Sequence, residues 1–356
     1  MAPSRIYSLD YLRGLTAFGI MFFHFTSWTL GSYSAEDFPG RIGLYGVSVF
    51  YVLSGLTLFL IYYENLKPTW RSLTTFAIKR TFRIFPLLWL TVGLTLLLNP
   101  KLFDPRLLFL SLTGLFGFLE PSKGLGTGVW SIGNELVFYA FFPFLLLLAR
   151  YNRLLFLLIS GFLMAICVYF AFFVLRANEP LGPQWPDYVN PLNQLILFVG
   201  GLVLGSFTVN GNFGKPNAVI ATIVIAAALL LFIFYPAAGD RIVLVSGWNR
   251  IIFLALSFTI CATVYLANYQ LPYFLHKPLA FTGEISYSLY LLHPIVYTIV
   301  FGANKILKLG VSPVCLLLLA FIGAFAVSFL VFRYFETPMI NAGKALSAKL
   351  PAATSV

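Results

Sequence analysis

The side chains in this sequence that could do chemistry sit inside apolar runs. The first set lies in residues 8–30, SLDYLRGLTAFGIMFFHFTSWTL, a stretch long enough to cross a bilayer that nevertheless carries Asp10, Arg13 and His24. Ionisable groups inside a membrane span are costly to keep there, and they mark functional positions by default. Arg13 and His24 are eleven positions apart. At about 100° per residue this is roughly 20° past three full turns, so both leave the same face of one helix, about 16 Å apart along its axis. That is about half of a ~30 Å hydrocarbon core. A fixed cation at one depth and a titratable imidazole at another describe a polar path through the protein. Asp10, three residues before Arg13, can pair with it on the same face.

Three further sets follow. In KRTFRIFP, residues 79–86, Arg80 and Arg83 are three apart and share a face. Two guanidinium forks side by side suit a phosphate or pyrophosphate group, while the same charges also suit a positive anchor on anionic lipid. In GLGTGVWSIGNELVFY, residues 124–139, a glycine-rich approach leads into a helix that begins near Trp130 and Ser131. That helix carries Glu135 into the membrane, with Tyr139 one turn on. A carboxylate at that depth needs a partner, and His24 and Arg13 of the first span both qualify. In SYSLYLLHP, residues 286–294, Ser286, Tyr290 and His293 fall on one face, and Pro294 would free a carbonyl and kink the helix. RYFETP, residues 333–338, reads as the stop of the last span, with Glu336 as a pairing carboxylate.

The elements that must position these groups are membrane helices. Of 356 residues, 60% are hydrophobic and only 10% charged, and the mean hydropathy is +0.89; soluble domains are roughly a quarter charged. The fold class is therefore all-α, a polytopic helical bundle. Candidate spans cover residues 8–30, 43–63, 83–99, 130–149, 154–175, 191–209, 217–235, 248–268, 284–303 and 312–335, which makes ten. The apolar segment 106–119 is too short to span easily and reads as re-entrant or interfacial. Ten spans put both termini on one side, and the short basic loop from Lys67 to Arg83 places that side in the cytoplasm. Arg41 and Arg250 then fall among the outer charges. The first segment lacks a small-residue cleavage site and does not read as a cleavable leader. The formal charge of +11 fits a membrane surface, and nothing in the chain reads as a nucleic-acid module. Cys167, Cys261 and Cys315 are scattered through apolar segments without metal spacing and read as small core residues. No linker or internal repeat divides the chain, so residues 1–356 read as a single membrane domain.

Taken in order, LDYLRG with His24, GVSVFYVLSG at 46–55, KRTFRIFP, WSIGNELVFYAFFP at 130–143, YSLYLLHP and RYFETP resemble the acyltransferase-3 family of integral membrane acyltransferases. The resemblance covers nearly the whole chain. It implies a ten-span enzyme that moves an acyl group, commonly acetyl, from acyl-CoA to a hydroxyl of a sugar, glycan or other small molecule. It implies catalytic roles for His24 and Glu135. Arg13, Arg80 and Arg83 would bind the acyl-CoA co-substrate, and Asp10, Trp130, Ser131, Tyr139, Tyr290 and His293 would line the substrate path. No metal is implied. Some family members carry an additional outer esterase-like domain, for which this chain ends too soon. The expected partners are acyl-CoA, a hydroxyl-bearing acceptor and the bilayer of a bacterial inner membrane, with homo-oligomer formation left open. A neutral imidazole within reach of a hydroxyl can take its proton; alternatively His24 itself carries the acyl group across the membrane. The alternative function is a transporter or flippase of a glycan or lipid precursor that uses the same polar path.

Overall fold

The computed structural model describes residues 5–209, 211 and 214–351, and the regular structure among them is helical throughout. The helices are α1 (Tyr7–Leu30), α2 (Phe38–Tyr62), α3 (Trp70–Leu98), α4 (Pro105–Thr113), α5 (Phe116–Leu119), α6 (Val129–Tyr151), α7 (Arg153–Tyr169) and α8 (Trp185–Tyr188). They continue with α9 (Pro191–Val209), α10 (Ala218–Phe234), α11 (Ile242–Val245), α12 (Gly247–Ala267), α13 (Tyr273–Glu284), α14 (Ser286–Ile306), α15 (Pro313–Val331) and α16 (Thr337–Ala348). Single π turns extend α7 over Phe170–Val174 and join α15 to α16 over Phe332–Glu336.

Each of the ten expected spans is helical. Among the described residues, eight helical runs are long and apolar enough to cross a membrane, the longest being Pro313–Ala348. The chain is a multi-pass membrane protein. The other two expected spans are α1, whose polar side chains dilute its hydropathy, and α10, which has 17 residues. The segment 106–119 does not span. Asp104 caps α4 by accepting from the amides of Arg106 and Leu107, Pro105 starts the helix, and Gly114 at φ 76° ends it after nine residues. Nine residues rise only about 13 Å.

Two boundaries depart from expectation. The third helix begins at Trp70, not at residue 83, because Thr69 accepts from the Ser72 amide and opens the helix outside the apolar stretch. The basic segment Lys79–Arg83 thus lies within about three and a half additional turns of helix. RYFETP does not stop the last span: Pro338 falls in the first turn of α16, where its missing N–H costs nothing, and the chain runs on to Ala348.

The described residues form two compact units. The first comprises Met1–Tyr63 and Phe144–Ser286, the second Glu64–Pro143 and Tyr287–Val356. In the first, α1 packs on α2 and α13, α2 on α9, α7 on α9, and α10 on α12. The α2–α9 crossing is close because Gly55 faces the Phe198 carbonyl and Gly201 faces that of Val52; a Cβ at either would collide with backbone. Arg41 and Arg250, read from the sequence as outer charges, are buried in this unit, at 2% and 0% exposure. Arg41 donates to the carbonyls of Ala35, Phe232, Ile233 and Tyr235 at 2.7–2.9 Å, so it closes the C-terminal end of α10. Arg250 donates to Gln194 at 3.3 Å and lies over the rings of Tyr45 and Tyr188. In the second unit α16 packs along α3, with Gly343 against Phe82, and α3 packs on α4. Cys167 and Cys261 are buried, whereas Cys315 is exposed at the start of α15 and is not a core residue.

Candidate active site

The polar groups of the first unit are organised by α1, which is continuous from Tyr7 to Leu30. The eleven-residue spacing therefore holds, and Arg13 and His24 leave one face about 16 Å apart. Asp10 lies 3.7 Å from Arg13, as the spacing implies, but its closer partner is Arg5 at 2.7 Å. Arg5 reaches on to Glu284 at the end of α13, at 2.6 Å. Burial works against the Arg5 charge, and the two carboxylates outweigh it, so the guanidinium is held above its ordinary range. Arg13 donates to Thr57 of α2 at 3.0 Å, which aims its side chain along that helix. Asp10 thus has two cationic partners, and it lies against the Arg13 guanidinium as a counter-ion.

Eleven residues beyond Arg13, His24 is half-buried and stacked on Trp28, one turn on, with ring centroids 4.9 Å apart and planes 7° from parallel. Phe23 flanks it at 5.1 Å. The third histidine, His276 on α13, contacts the Tyr11 hydroxyl at 2.6 Å and sits edge-on to Tyr7.

The second unit carries the remaining candidates. The glycine-rich approach to α6 does what its composition implies: Gly126 and Gly128 take φ of 118° and 79°, a left-handed region that other residues avoid. This turn leaves the Gly128 carbonyl facing the Tyr290 hydroxyl, which donates to it at 3.1 Å, and Ser131 Oγ lies 2.9 Å from the same hydroxyl. Ser131, Tyr290 and a backbone carbonyl thereby form one small polar cluster joining the start of α6 to α14. His293 lies one turn beyond Tyr290, is 1% exposed, and has Nδ1 3.0 Å from the Leu289 carbonyl of its own helix. Facing a carbonyl, that nitrogen carries the proton of the neutral ring. Pro294 does not interrupt α14. Trp130, Glu135 and Tyr139 are all on α6 and all half-buried; Glu135 and Tyr139, four apart, share a face.

Arg80 and Arg83 share a face of α3, as their spacing requires, yet their surroundings differ. Arg80 lies over the Tyr139 ring, 6.0 Å from its centroid. Arg83 is paired with Glu336 at 2.7 Å and lies over the Tyr287 ring. His24, Arg13 and Asp10 belong to the first unit; Glu135, Arg80, Arg83, Trp130, Ser131, Tyr139, Tyr290 and His293 belong to the second.

Sequence reasoning missed Arg5, Glu284, Thr57, Ser288 and Tyr287. Arg5 lies outside the apolar window that drew attention to α1, and Glu284 stands at the very edge of the next-to-last one. Tyr287 and Ser288 stand inside the YSLYLLHP run, but no spacing rule singles them out from their neighbours.

Comparison with known proteins places these residues in context. Residues 6–333 match a family described as an acyltransferase domain. The chain is 25% identical over 318 residues to the exopolysaccharide production protein ExoZ of Rhizobium meliloti (strain 1021), covering 85% of this chain and 92% of that protein. It is 25% identical over 386 residues to the O-acetyltransferase OatA of Staphylococcus aureus (strain NCTC 8325), covering 98% of this chain and 60% of that protein. It is 23% identical over 368 residues to the peptidoglycan O-acetyltransferase OatA of Listeria monocytogenes, covering 94% of this chain and 56% of that protein. The chain therefore spans little more than half the length of the OatA proteins. No solved structure matches it.

Proposed function

The chain belongs to the acyltransferase-3 family, and from that premise we propose that it is a membrane O-acyltransferase. It moves an acyl group, acetyl in the simplest case, from acyl-CoA to a hydroxyl of a polysaccharide or lipid-linked saccharide. The observation that carries this reading is α1 itself, a membrane helix that presents Arg13 and His24 on one face about half a bilayer apart. The names of the relatives, O-acetyltransferases and an exopolysaccharide production protein, support the acetyl group and the saccharide acceptor.

In the proposed reaction the donor approaches from the cytoplasm, in a bacterial inner membrane with both termini on that side. Its phosphates are read by the Arg80–Arg83 face of α3; Arg13, held by Asp10 and Thr57, is a further donor-binding cation that the resemblance implies. As the acceptor oxygen attacks the thioester carbonyl, its proton passes to the neutral His24 imidazole. The C–S bond then breaks, and the departing thiolate takes that proton to leave as free CoA. An uncatalysed alcohol is too weak a nucleophile at neutral pH for this step, which is why an imidazole is required. Glu135, which shares a face of α6 with Tyr139, is the second catalytic group that the family resemblance implies. The Ser131–Tyr290 hydroxyl cluster, with Trp130 and Tyr139, offers hydrogen bonds and ring faces suited to a saccharide.

The test is thioester consumption by purified protein in proteoliposomes. The expected result is release of free CoA that depends on a saccharide acceptor. Transport of a saccharide without thioester cleavage would identify a transporter instead.

A further inference from the structure

One carboxylate in the second unit is almost wholly enclosed. Glu336 is 2% exposed and is delivered by the π turn Phe332–Glu336 between α15 and α16. The turn has a cause in the sequence. Pro338 follows two residues later, and in a regular helix its ring would press on the carbonyl one turn back. Widening the ladder by one residue relieves that contact and rotates the residue before it; such π turns recur at functional positions. The carboxylate so placed has two partners. Arg83 Nη1 lies 2.7 Å from Oε1, and Ser288 Oγ donates to Oε2 at 2.5 Å. Arg83 is held a second way, over the ring of Tyr287 at 5.6 Å, while the Tyr287 hydroxyl donates to the carbonyl of Ile84, the next residue of α3.

The pair is closed at one end and open at the other, since the Glu336 side chain is 2% exposed and that of Arg83 36%. A guanidinium has five N–H donors in a planar fork. The carboxylate lies against Nη1 at one corner of the fork, and 36% of the Arg83 side chain stays accessible.

We infer that Glu336 is a positioning residue: with Ser288 it fixes one edge of Arg83 so that the other edge is presented to the phosphates of the acyl donor. This rests on the reading that the donor is acyl-CoA. It separates the two arginines of KRTFRIFP, because Arg83 acts from a fixed orientation set by a carboxylate more than 250 residues away in sequence. A purely structural ion pair would lower stability when broken and leave donor affinity untouched, so affinity is the discriminating readout.

The experiment measures equilibrium binding of coenzyme A and of pantetheine, which lacks the nucleotide phosphates, to the full chain in lipid nanodiscs. Glu336→Gln removes the anchoring charge at nearly constant shape. It is expected to weaken coenzyme A binding about tenfold, the scale of a lost charge-assisted contact, with pantetheine affinity unchanged. Glu336→Asp should recover part of the loss. Arg83→Lys keeps the charge and the fold but cannot present a planar edge, and should weaken coenzyme A binding to a similar degree. The inference is overturned if Glu336→Gln binds coenzyme A as tightly as the wild type, or loses both probes equally. If the wild type binds no coenzyme A at all, the acyl-CoA reading itself fails, a result distinct from tight wild-type binding that ignores Glu336.

Discussion

His24 and His293 are both imidazoles on membrane helices, and they are held in opposite ways. His293 is sealed, at 1% exposure, with Nδ1 committed to the carbonyl one turn back on its own helix. His24 is half-buried, and its ring plane is set by stacking on Trp28. A general base must present a lone pair to an incoming hydroxyl at hydrogen-bond distance. His24 is held by ring stacking and remains partly exposed, whereas His293 is enclosed and bonded to its own helix. Residue type, which the two histidines share, therefore does not distinguish them; the way each ring is held does.

The sharpest way to press on this difference is through Glu135. Glu135→Gln is expected to lower turnover by about 10²–10⁴-fold, the range for loss of acid–base function, with coenzyme A affinity nearly unchanged. If Glu135 serves the same step as His24, the double variant Glu135→Gln/His24→Ala will lose scarcely more than the worse single variant. Strictly multiplicative losses would assign Glu135 to another step.

The next effect is on stability. His293→Ala empties an enclosed site and removes its bond to Leu289, and should cost about 2–4 kcal/mol in detergent unfolding. Turnover per folded molecule should fall far less than in the Glu135 variant. A His293→Ala protein that is fully stable and inactive would reverse the roles assigned to the two histidines.

The smallest effect is at the end of α1. Arg5 bridges Asp10 and Glu284 with 45% of its side chain exposed. Arg5→Ala should therefore cost only about 0–1 kcal/mol, and less at high salt. A larger loss that persists in salt would mean that Asp10 depends on Arg5 to hold Arg13.

Much of this architecture is legible in the sequence, because long apolar runs have few alternatives to a spanning helix. The same-face relation of Arg13 and His24 follows from helix geometry alone, and α1 preserves it without a break. The Asp10–Arg13 contact is legible for the same reason, being local. Long-range partners are not. Arg41 and Arg250 read as outer charges because hydropathy counts a charge without seeing the carbonyls or rings that receive it. The α13 helix is hidden by His276, Lys277 and Pro278, which look like a polar loop yet form twelve residues of helix packed on α1. Glu336 is named in the sequence as a pairing residue. Its π turn traces to Pro338, but the helix beyond Pro338 depends on packing against α3 that no local pattern encodes.

The central claim is that His24 performs the proton transfer of an acyl-transfer reaction. The most direct measurement compares acceptor-dependent release of CoA by wild-type protein and by His24→Ala, each purified, shown to be folded, and placed in proteoliposomes with acetyl-CoA and a saccharide acceptor. The account predicts robust release by the wild type and a rate about 10²–10⁴-fold lower in the variant. A His24→Ala protein that keeps more than about a third of the wild-type rate, far outside that range, would contradict it and leave His24 as a packing residue against Trp28.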